Sequence, residues 1–189
     1  GIFGYTLPPA ELNAAVISRL NDQYGWKIES QWLVWLPGLV TGFNAACRAV
    51  GNNGDDVMTA VPVYHPFLYA PANFNRRLIK VPLVETNRRW YFDFDRIEDA
   101  ITPQTRLFLL CSPHNPTGRV FTRGELATLS EICQRHGIVI CSDEIHCDLL
   151  FRGQRHLPIA SLAPEIAART ITLCWSSSTS AASRSTALP

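Results

Sequence analysis

The segment SDEIHCD, residues 142–148, concentrates side chains that could do chemistry. Asp143 follows the strand-like run IVICS, so its carboxylate should stand at the end of a strand with little water around it. A carboxylate in such a place needs a cation or several hydrogen-bond donors. From these residues alone it is a turn or capping carboxylate, a metal ligand, or the partner of a cationic ring nitrogen on a bound cofactor. The metal interpretation would recruit His146, Cys147 and Asp148, but no second ligand group has recognisable spacing.

The segment SPHNPTG, residues 112–118, predicts a rigid turn between a strand and a helix. Pro116 keeps Asn115 out of the helical region, and Thr117 and Gly118 complete a tight turn. The segment is either a structural turn alone or a turn that presents the Asn115 amide at a fixed place near Asp143.

Two further places could contact a ligand. Tyr64 lies between two prolines at the end of another predicted strand, where it is either a core residue or a flat stacking surface. Gly38 precedes a predicted helix, so the amides of Leu39 and Val40 would point outward from a positive helix end. Such a helix start is a generic anion site and is weak evidence by itself.

Apolar strand-like runs alternate with helical segments along the chain. Continuous apolar strands separated by helices predict an α/β protein with three layers, αβα, around a mostly parallel sheet. Ligands of such sheets bind at the carboxyl ends of the strands, which is where the segments above fall. Helices are predicted in ELNAAVISRLNDQYG, LPGLVTGFNAACRAVG, FDFDRIEDAIT, TRGELATLSEICQRHG and LAPEIAART, and strands in VMTAVPVY, RRLIKVPLVE, RLFLLCSP, IVICSDE and TITLCW.

The composition narrows the functional classes. The 189 residues could form one α/β domain, and a net charge of +1 gives no reason to expect nucleic acid or an anionic membrane as partner. No apolar run reaches the roughly 20 residues of a membrane span. Six cysteines without a CxxC pair favour the reducing cytoplasm over a disulfide framework. No GxGxxG or Walker-type motif follows a strand, so a nucleotide-binding domain has little support.

The order of these segments closely resembles the pyridoxal-5′-phosphate (PLP) enzymes of fold type I, in the class I/II aminotransferase family. The segments GIFGYT, SPHNPTGRV and SDEIH are most similar to the cystathionine β-lyase-like C–S lyases of that family. The resemblance implies that residues 1–175 are part of the large PLP-binding domain of these transferases and lyases. It also implies a cytoplasmic homodimer in amino-acid metabolism that acts on a small amino-acid substrate.

The resemblance assigns roles around the cofactor ring. Asp143 would pair with the protonated pyridine nitrogen and raise the pKa of that nitrogen, which keeps the ring cationic. Asn115 would donate a hydrogen bond to the phenolate oxygen of the ring. His146 would lie near the same oxygen, where many aminotransferases have Tyr, and Tyr64 would stack on the ring face.

The resemblance also assigns a phosphate site. The amides of Leu39 and Val40 would hold the phosphate. Ser177 matches a residue of the motif that follows the last strand and belongs to the same cofactor-binding set. Tyr5 would reach the phosphate of the neighbouring subunit, because the sites of this family lie between two chains.

One residue of the family pattern is missing. The family has a Ser-x-Ser-Lys-Thr type motif after the strand that corresponds to TITLCW, and its Lys bonds covalently to the cofactor. Alignment with TITLCWSSSTS puts Ser178 where that Lys belongs, and the only lysines of the chain are Lys27 and Lys80. A Ser hydroxyl cannot replace the amine as covalent link or as base. We therefore expect no catalytic residue in this chain.

Residues 176–189 are expected to be a tail unrelated to the family. Eleven of these fourteen residues are Ser, Thr or Ala, so the tail buries little apolar area, which predicts disorder. A shifted reading frame or a truncation would explain it, and the N-terminus GIFGYT, without an initiator Met, reads as a start within a longer protein. The hypothesis is an inactive fragment or degenerate homologue of a PLP-dependent aminotransferase or C–S β-lyase. The alternative is a non-catalytic PLP-binding or dimerisation fragment with no enzymatic role.

Overall fold

The computed structural model of the chain describes residues 8–174. They fall into two compact units, the first extending to Leu36 and the second running from Pro37 to Cys174. The predicted domain end at residue 175, the tail 176–189 and the GIFGYT segment lie outside the described residues, so what was expected of them stays a prediction. No helix within residues 8–174 is long and apolar enough to cross a membrane.

The first unit is built around one helix, α1, at Ala10–Tyr24. Its apolar side chains recur at helical spacing, and Val16 and Leu20 are buried, as the sequence pattern predicts. The helix ends at Gly25, whose φ of 64° is the left-handed conformation that glycine adopts without a steric cost. A 3₁₀ turn follows at Ser30–Trp32.

The second unit is organised by a parallel sheet. Its strands and those of a separate hairpin are β1 at Asp56–Val61, β2 at Arg77–Pro82, β3 at Val84–Thr86, β4 at Arg89–Tyr91, β5 at Thr105–Cys111, β6 at Val139–Asp143 and β7 at Thr170–Leu173. The sheet has the order β2-β1-β5-β6-β7, and every neighbouring pair in it is parallel. Strands β3 and β4 pair antiparallel.

Helices cover both faces of this sheet. On one face lie α2 at Leu39–Ala49 and α3 at Pro66–Tyr69. On the other face lie α4 at Phe94–Asp99 and α5 at Arg123–Arg135. A short helix, α6 at Pro164–Ala167, leads into β7.

Side-chain alternation in the strands explains why both faces are apolar. In β5, Leu107, Leu109 and Cys111 pack on the side of α2, whereas Phe108 and Leu110 pack on the side of α5. A strand that is covered on both faces must be apolar at every position, which is the continuous run seen in the sequence. The predicted α/β fold with three layers, αβα, is confirmed.

The sequence pattern does not predict the β3–β4 hairpin or α3. The segment RRLIKVPLVE, expected to be one extended stretch, is divided between β2 and β3. The hairpin turns through Asn87 and Arg88, whose φ angles of 52° and 61° are those of a tight two-residue turn. Gly is the usual sequence signal for such a turn, and it is absent here.

Candidate functional site

The strand order creates a switch point at the carboxyl edge of the sheet. From β1 the chain passes to β2 on one side, and it then returns to β5 on the other side of β1. The loops that leave β1 and β5 therefore flank the place where ligands of open α/β sheets bind. One hydrogen bond joins these loops, because the amide N–H of Tyr64 donates to the carbonyl oxygen of Asn115 at 3.0 Å.

Asp143 is the last residue of β6, one strand beyond this switch point. Its Cα pairs with that of Cys111 in β5 and with that of Leu173 in β7. Alternation along β6 puts its side chain on the α2 face of the sheet, like that of Cys141. Asp143 is 3% exposed, and burial raises the pKa of its carboxyl group to about 7.

Asp143 has fewer partners than a buried carboxylate requires. Within the part of the chain that the structure describes, one donor contacts it, the Ile145 N–H at 3.1 Å from Oδ1. That bond lowers the pKa of Asp143, but burial has the larger effect, and the nearby Glu144 carboxylate raises the pKa further. None of the ion pairs among residues 8–174 involves Asp143. A ligand with a cationic N–H would therefore supply what this carboxyl group lacks.

The turn that carries Asn115 is closed by its own backbone. The His114 N–H donates to the Arg119 carbonyl at 2.7 Å, and the Gly118 N–H donates to the His114 carbonyl at 2.8 Å. The buried His114 ring places Nδ1 2.9 Å from Oγ1 of Thr117. Burial and, to a smaller extent, the charge of Arg119 lower the pKa of His114 to about 4, so the ring is neutral near pH 7. A turn is present where the sequence predicts one, and Asn115 lies half-buried within it.

A partly buried ion pair connects this turn to α5. Arg119 pairs with Glu125, and Glu125 also accepts hydrogen bonds from the N–H and the hydroxyl of Thr122 in the capping box of α5. The Arg119 guanidinium lies 5.1 Å from the ring centre of Tyr91 and 5.2 Å from that of Phe121. Sequence reasoning missed this pair. The Thr-x-x-Glu spacing signals the cap, but no sequence rule gives Glu125 its second partner.

The start of α2 lies at the same edge of the sheet. Leu39 and Val40 form its first turn, and the helix packs so closely on β7 that a Cβ at Gly42 would lie 2.8 Å from a methyl carbon of Leu173. Because Leu173 is the Cα partner of Asp143, the first turn of α2 is close to the end of β6. First-turn amides have no partner inside an α-helix and can bind an anion.

A second buried carboxylate, Glu144, makes several hydrogen bonds in the segment that follows β6. Its Oε1 accepts a hydrogen bond from the Ser142 hydroxyl at 2.9 Å, and its Oε2 lies 2.7 Å from Nε2 of His156. Its N–H donates to the carbonyl of Leu173 at 2.7 Å. His146 lies half-buried in the loop that follows. Sequence reasoning missed Glu144 and His156, although a second carboxylate after an apolar strand was a usable signal.

Some of the candidate residues lie outside the part of the chain that the structure describes. Tyr5, Ser177 and Ser178 lie outside residues 8–174, so their roles remain predictions. No three His, Cys, Asp or Glu side chains within residues 8–174 are arranged to hold a metal ion. The metal interpretation of Asp143 thus has no ligand set in that range.

Comparisons with known proteins bear on this site. The sequence model of the family described as "Aminotransferase class I and II" matches residues 2–183. Cystathionine beta-lyase PatB of Bacillus subtilis (strain 168) is 38% identical over 180 residues, which are 95% of this chain and 46% of PatB. The crystal structure of OvoB superposes with a TM-score of 0.87 at 43% identity, covering 92% of this chain and 46% of that one. The structure of cystalysin from Treponema denticola, which contains PLP, superposes with a TM-score of 0.88 at 33% identity, covering 92% of this chain and 44% of cystalysin.

The chain spans under half the length of these relatives. Other matched proteins include aminotransferases and C–S lyases, and several of the solved structures contain PLP. PLP is therefore the cofactor of this group of proteins, and the sheet and helices described above are those of its fold type I members.

We expect Asp143 to make the ligand-free chain less stable as the pH rises. The pKa of its carboxyl group is about 7 in the folded chain. An unfolded Asp has a pKa of about 4, so between these values the folded state holds a proton that the unfolded state has lost, and the free energy of unfolding falls. Above pH 7 the whole penalty applies, on the order of 4 kcal/mol.

Urea unfolding of the wild type and of Asp143→Asn at pH 4.5 and pH 8 measures this effect. The variant should gain stability relative to the wild type at the higher pH. Asp99→Asn, a change of the same kind at an exposed residue of α4, should follow the wild type. An Asp143→Asn difference of equal size at both pH values would contradict the expectation.

Proposed function

Because the chain belongs to the class I and II aminotransferase family, we propose that residues Pro37–Cys174 form the PLP-binding part of an enzyme that acts on amino acids. The observation that carries the proposal is the Asp143 carboxyl group, buried at the end of β6 without a cation among the described residues. The protonated pyridine nitrogen of PLP is a cationic N–H donor of the kind that this carboxyl group lacks. When bound, PLP supplies an electron sink for reactions at the α-carbon of amino acids.

In this proposal Asp143 holds the ring nitrogen through a charge-assisted hydrogen bond. The carboxyl group then becomes an anion, and the pairing lowers its pKa from about 7. Its position is well defined, because the strand end is paired with Cys111 and Leu173 on both sides. Asp143 therefore orients the ring and keeps its nitrogen protonated.

The other candidate residues support the same orientation. Asn115, held in its turn, donates its side-chain amide to the ring oxygen, with His146 near the same oxygen. Tyr64, tied to Asn115 by the 3.0 Å backbone hydrogen bond, covers one face of the ring. The first-turn amides of Leu39 and Val40, at the positive end of α2, bind the phosphate.

We further propose that this chain holds PLP without a covalent bond and does not turn over substrate by itself. The family motif would put a Lys at Ser178, and the chain has only two lysines. Lys80 is exposed on β2, three strands away from β6, a separation of roughly 14 Å at the usual strand spacing. Lys27 belongs to the first unit and is exposed. A non-covalent PLP-binding fragment is thus the form of function that the residues support best.

For a full-length protein of this kind, we propose the activity of a C–S β-lyase or an aminotransferase in the cytoplasm. Both reactions begin at the α-carbon of a PLP-bound amino acid, and the 38% identity to cystathionine beta-lyase PatB favours the lyase. Tyr5 and Ser177 would complete the phosphate site, Tyr5 from the second subunit of a homodimer.

A PLP titration followed by visible absorbance tests the binding proposal. We expect saturable, non-covalent binding at pH 8, and a loss of affinity of at least about 10-fold in Asp143→Ala, since a charge-assisted hydrogen bond contributes on the order of 1.5–3 kcal/mol. Asp99→Ala serves as the matched control and should bind as the wild type does. Equal affinities in wild type and Asp143→Ala would overturn the assignment of Asp143.

Introducing the amine tests the proposed role of position 178. Borohydride reduction of the wild type mixed with equimolar PLP should give no adduct at residue 178, because no amine lies at that position, and the exposed amines of Lys27 and Lys80 should give only background labelling. Ser178→Lys should gain the mass of one reduced PLP group, located at the substituted position, whereas Ser176→Lys should not. Stoichiometric, saturable labelling of Lys27 or Lys80 in the wild type, or equal labelling of the two variants at the substituted position, would contradict the alignment.

A further inference from the structure

The Cys111 side chain lies between the residues proposed to contact the cofactor. Cys111 is the last residue of β5, and its Cα pairs with that of Asp143 in β6. Both side chains point to the α2 face, because each follows the alternation of its own strand. Neighbouring residues on one face of a sheet are close enough to interact directly. The thiol of Cys111 is therefore beside the Asp143 carboxyl group.

Two hydrogen bonds tie the same thiol to the turn that carries Asn115. The backbone N–H of Asn115 donates to Sγ of Cys111 at 3.3 Å. The thiol donates in turn to the carbonyl oxygen of Pro113 at 3.5 Å. A thiol is a weak donor and a weak acceptor, but here it satisfies the one backbone N–H that sets the position of Asn115.

The Asn115 peptide also connects this thiol to the loop after β1. While its N–H donates to Cys111, its carbonyl oxygen accepts the hydrogen bond from the N–H of Tyr64 at 3.0 Å. Hydrogen bonds thus join Cys111 to Asn115 and Asn115 to Tyr64, and strand pairing puts Cys111 next to Asp143. Apart from Cys111, these residues are those proposed to bind the ring nitrogen, the ring oxygen and the ring face.

The environment of Cys111 suits a structural thiol and not a nucleophile. Cys111 is 2% exposed, and burial, with a smaller effect from the Asp143 charge, raises the pKa of its thiol to about 12. The group remains protonated near pH 7, and a protonated thiol is a poor nucleophile and a poor metal ligand. Its S–H can then serve continuously as the donor to Pro113.

We propose that Cys111 is a positioning residue, whose thiol holds the Asn115 backbone at the place where its side chain meets a ligand bound to Asp143. This inference rests on the proposed function in one respect, the identity of that ligand as PLP. Its structural half, the restraint of Asn115, is independent of any ligand. The two halves can therefore be measured separately.

Three variants isolate the hydrogen bonds from the packing. Cys111→Ala removes Sγ and leaves the Asn115 N–H without its partner, whereas Cys111→Ser keeps a donor and an acceptor at the same place. Cys133→Ala is the matched control, because Cys133 is also 2% exposed, with burial likewise raising its thiol pKa to about 12, and lies in the core on the α5 side. It removes the same atom from an equally buried site away from the turn.

The first measurement is hydrogen exchange of the Asn115 amide by NMR in the absence of PLP. We expect exchange at least about 10-fold faster in Cys111→Ala than in the wild type, since a lost hydrogen bond of about 1.4 kcal/mol corresponds to that factor. Cys111→Ser should stay within about threefold of the wild type by the same conversion. Cys133→Ala should leave Asn115 unchanged even where it lowers the melting temperature.

The second measurement is PLP affinity by absorbance. We expect binding about 10-fold weaker in Cys111→Ala, recovery in Cys111→Ser, and wild-type affinity in Cys133→Ala. If the wild type does not bind PLP, the proposed function fails, and the exchange data alone still decide on the restraint of Asn115. Unchanged Asn115 exchange in Cys111→Ala would overturn the inference, as would equal loss of PLP affinity in Cys111→Ala and Cys133→Ala. Should Cys111→Ala fail to fold, exchange in Cys111→Ser that matches an unprotected amide would overturn it in the same way.

Discussion

The candidate site depends above all on one feature, the burial of the Asp143 carboxyl group. With 3% of the residue exposed and one described hydrogen-bond donor, the ionised group has lost most of its hydration, and its pKa rises to about 7 as a result. A cationic N–H beside the carboxyl group would lower this pKa again, because it stabilises the ionised form directly. A buried carboxylate that lowers the stability of the ligand-free chain indicates a functional site, because an apolar residue at the same position would pack more favourably.

The parallel sheet places other candidate residues near the Asp143 carboxyl group. Tyr64, Asn115 and Asp143 follow or end β1, β5 and β6, which are consecutive neighbours in the sheet. At the usual strand spacing they span about 10 Å, a distance suited to a ligand with one aromatic ring. The Asn115 turn is held from several sides, by the Tyr64 N–H, by the Cys111 thiol and by the Arg119–Glu125 pair. Rigid support of this kind is what allows a small ligand to be oriented precisely.

The sequence predicts the fold and the edge of the sheet well, but not the contacts behind the candidate side chains. Continuous apolar runs such as RLFLLC identify buried parallel strands because both of their faces must be covered. The polar residues after those runs predict a candidate ligand edge, because ligands of such sheets bind at the carboxyl ends of the strands. The β3–β4 hairpin was not predictable, because Asn87-Arg88 lacks the Gly that usually marks such a turn.

Contacts that depend on strand register and loop path could not be predicted from the sequence, for a different reason. In the sequence Cys111 is one more apolar residue of a strand. The path of the turn after β5 gives its sulfur two hydrogen-bond partners, and the pairing with β6 puts it beside Asp143. Glu144 likewise contacts His156 because the segment after β6 folds back on itself twelve residues later. Such partners depend on register and loop path, which local patterns do not encode.

The central claim is that the Asp143 carboxyl group is the partner of the cofactor's ring nitrogen, and a ¹³C NMR titration of that carboxyl group tests it most directly. In the free chain the carboxyl carbon should titrate with a midpoint near 7. Saturation with PLP should keep it ionised well below that pH, whereas a PLP analogue with carbon in place of the ring nitrogen should leave the midpoint unchanged or higher. A free chain that titrates near the ordinary value of about 4, or the same midpoint with PLP and without it, would contradict the account.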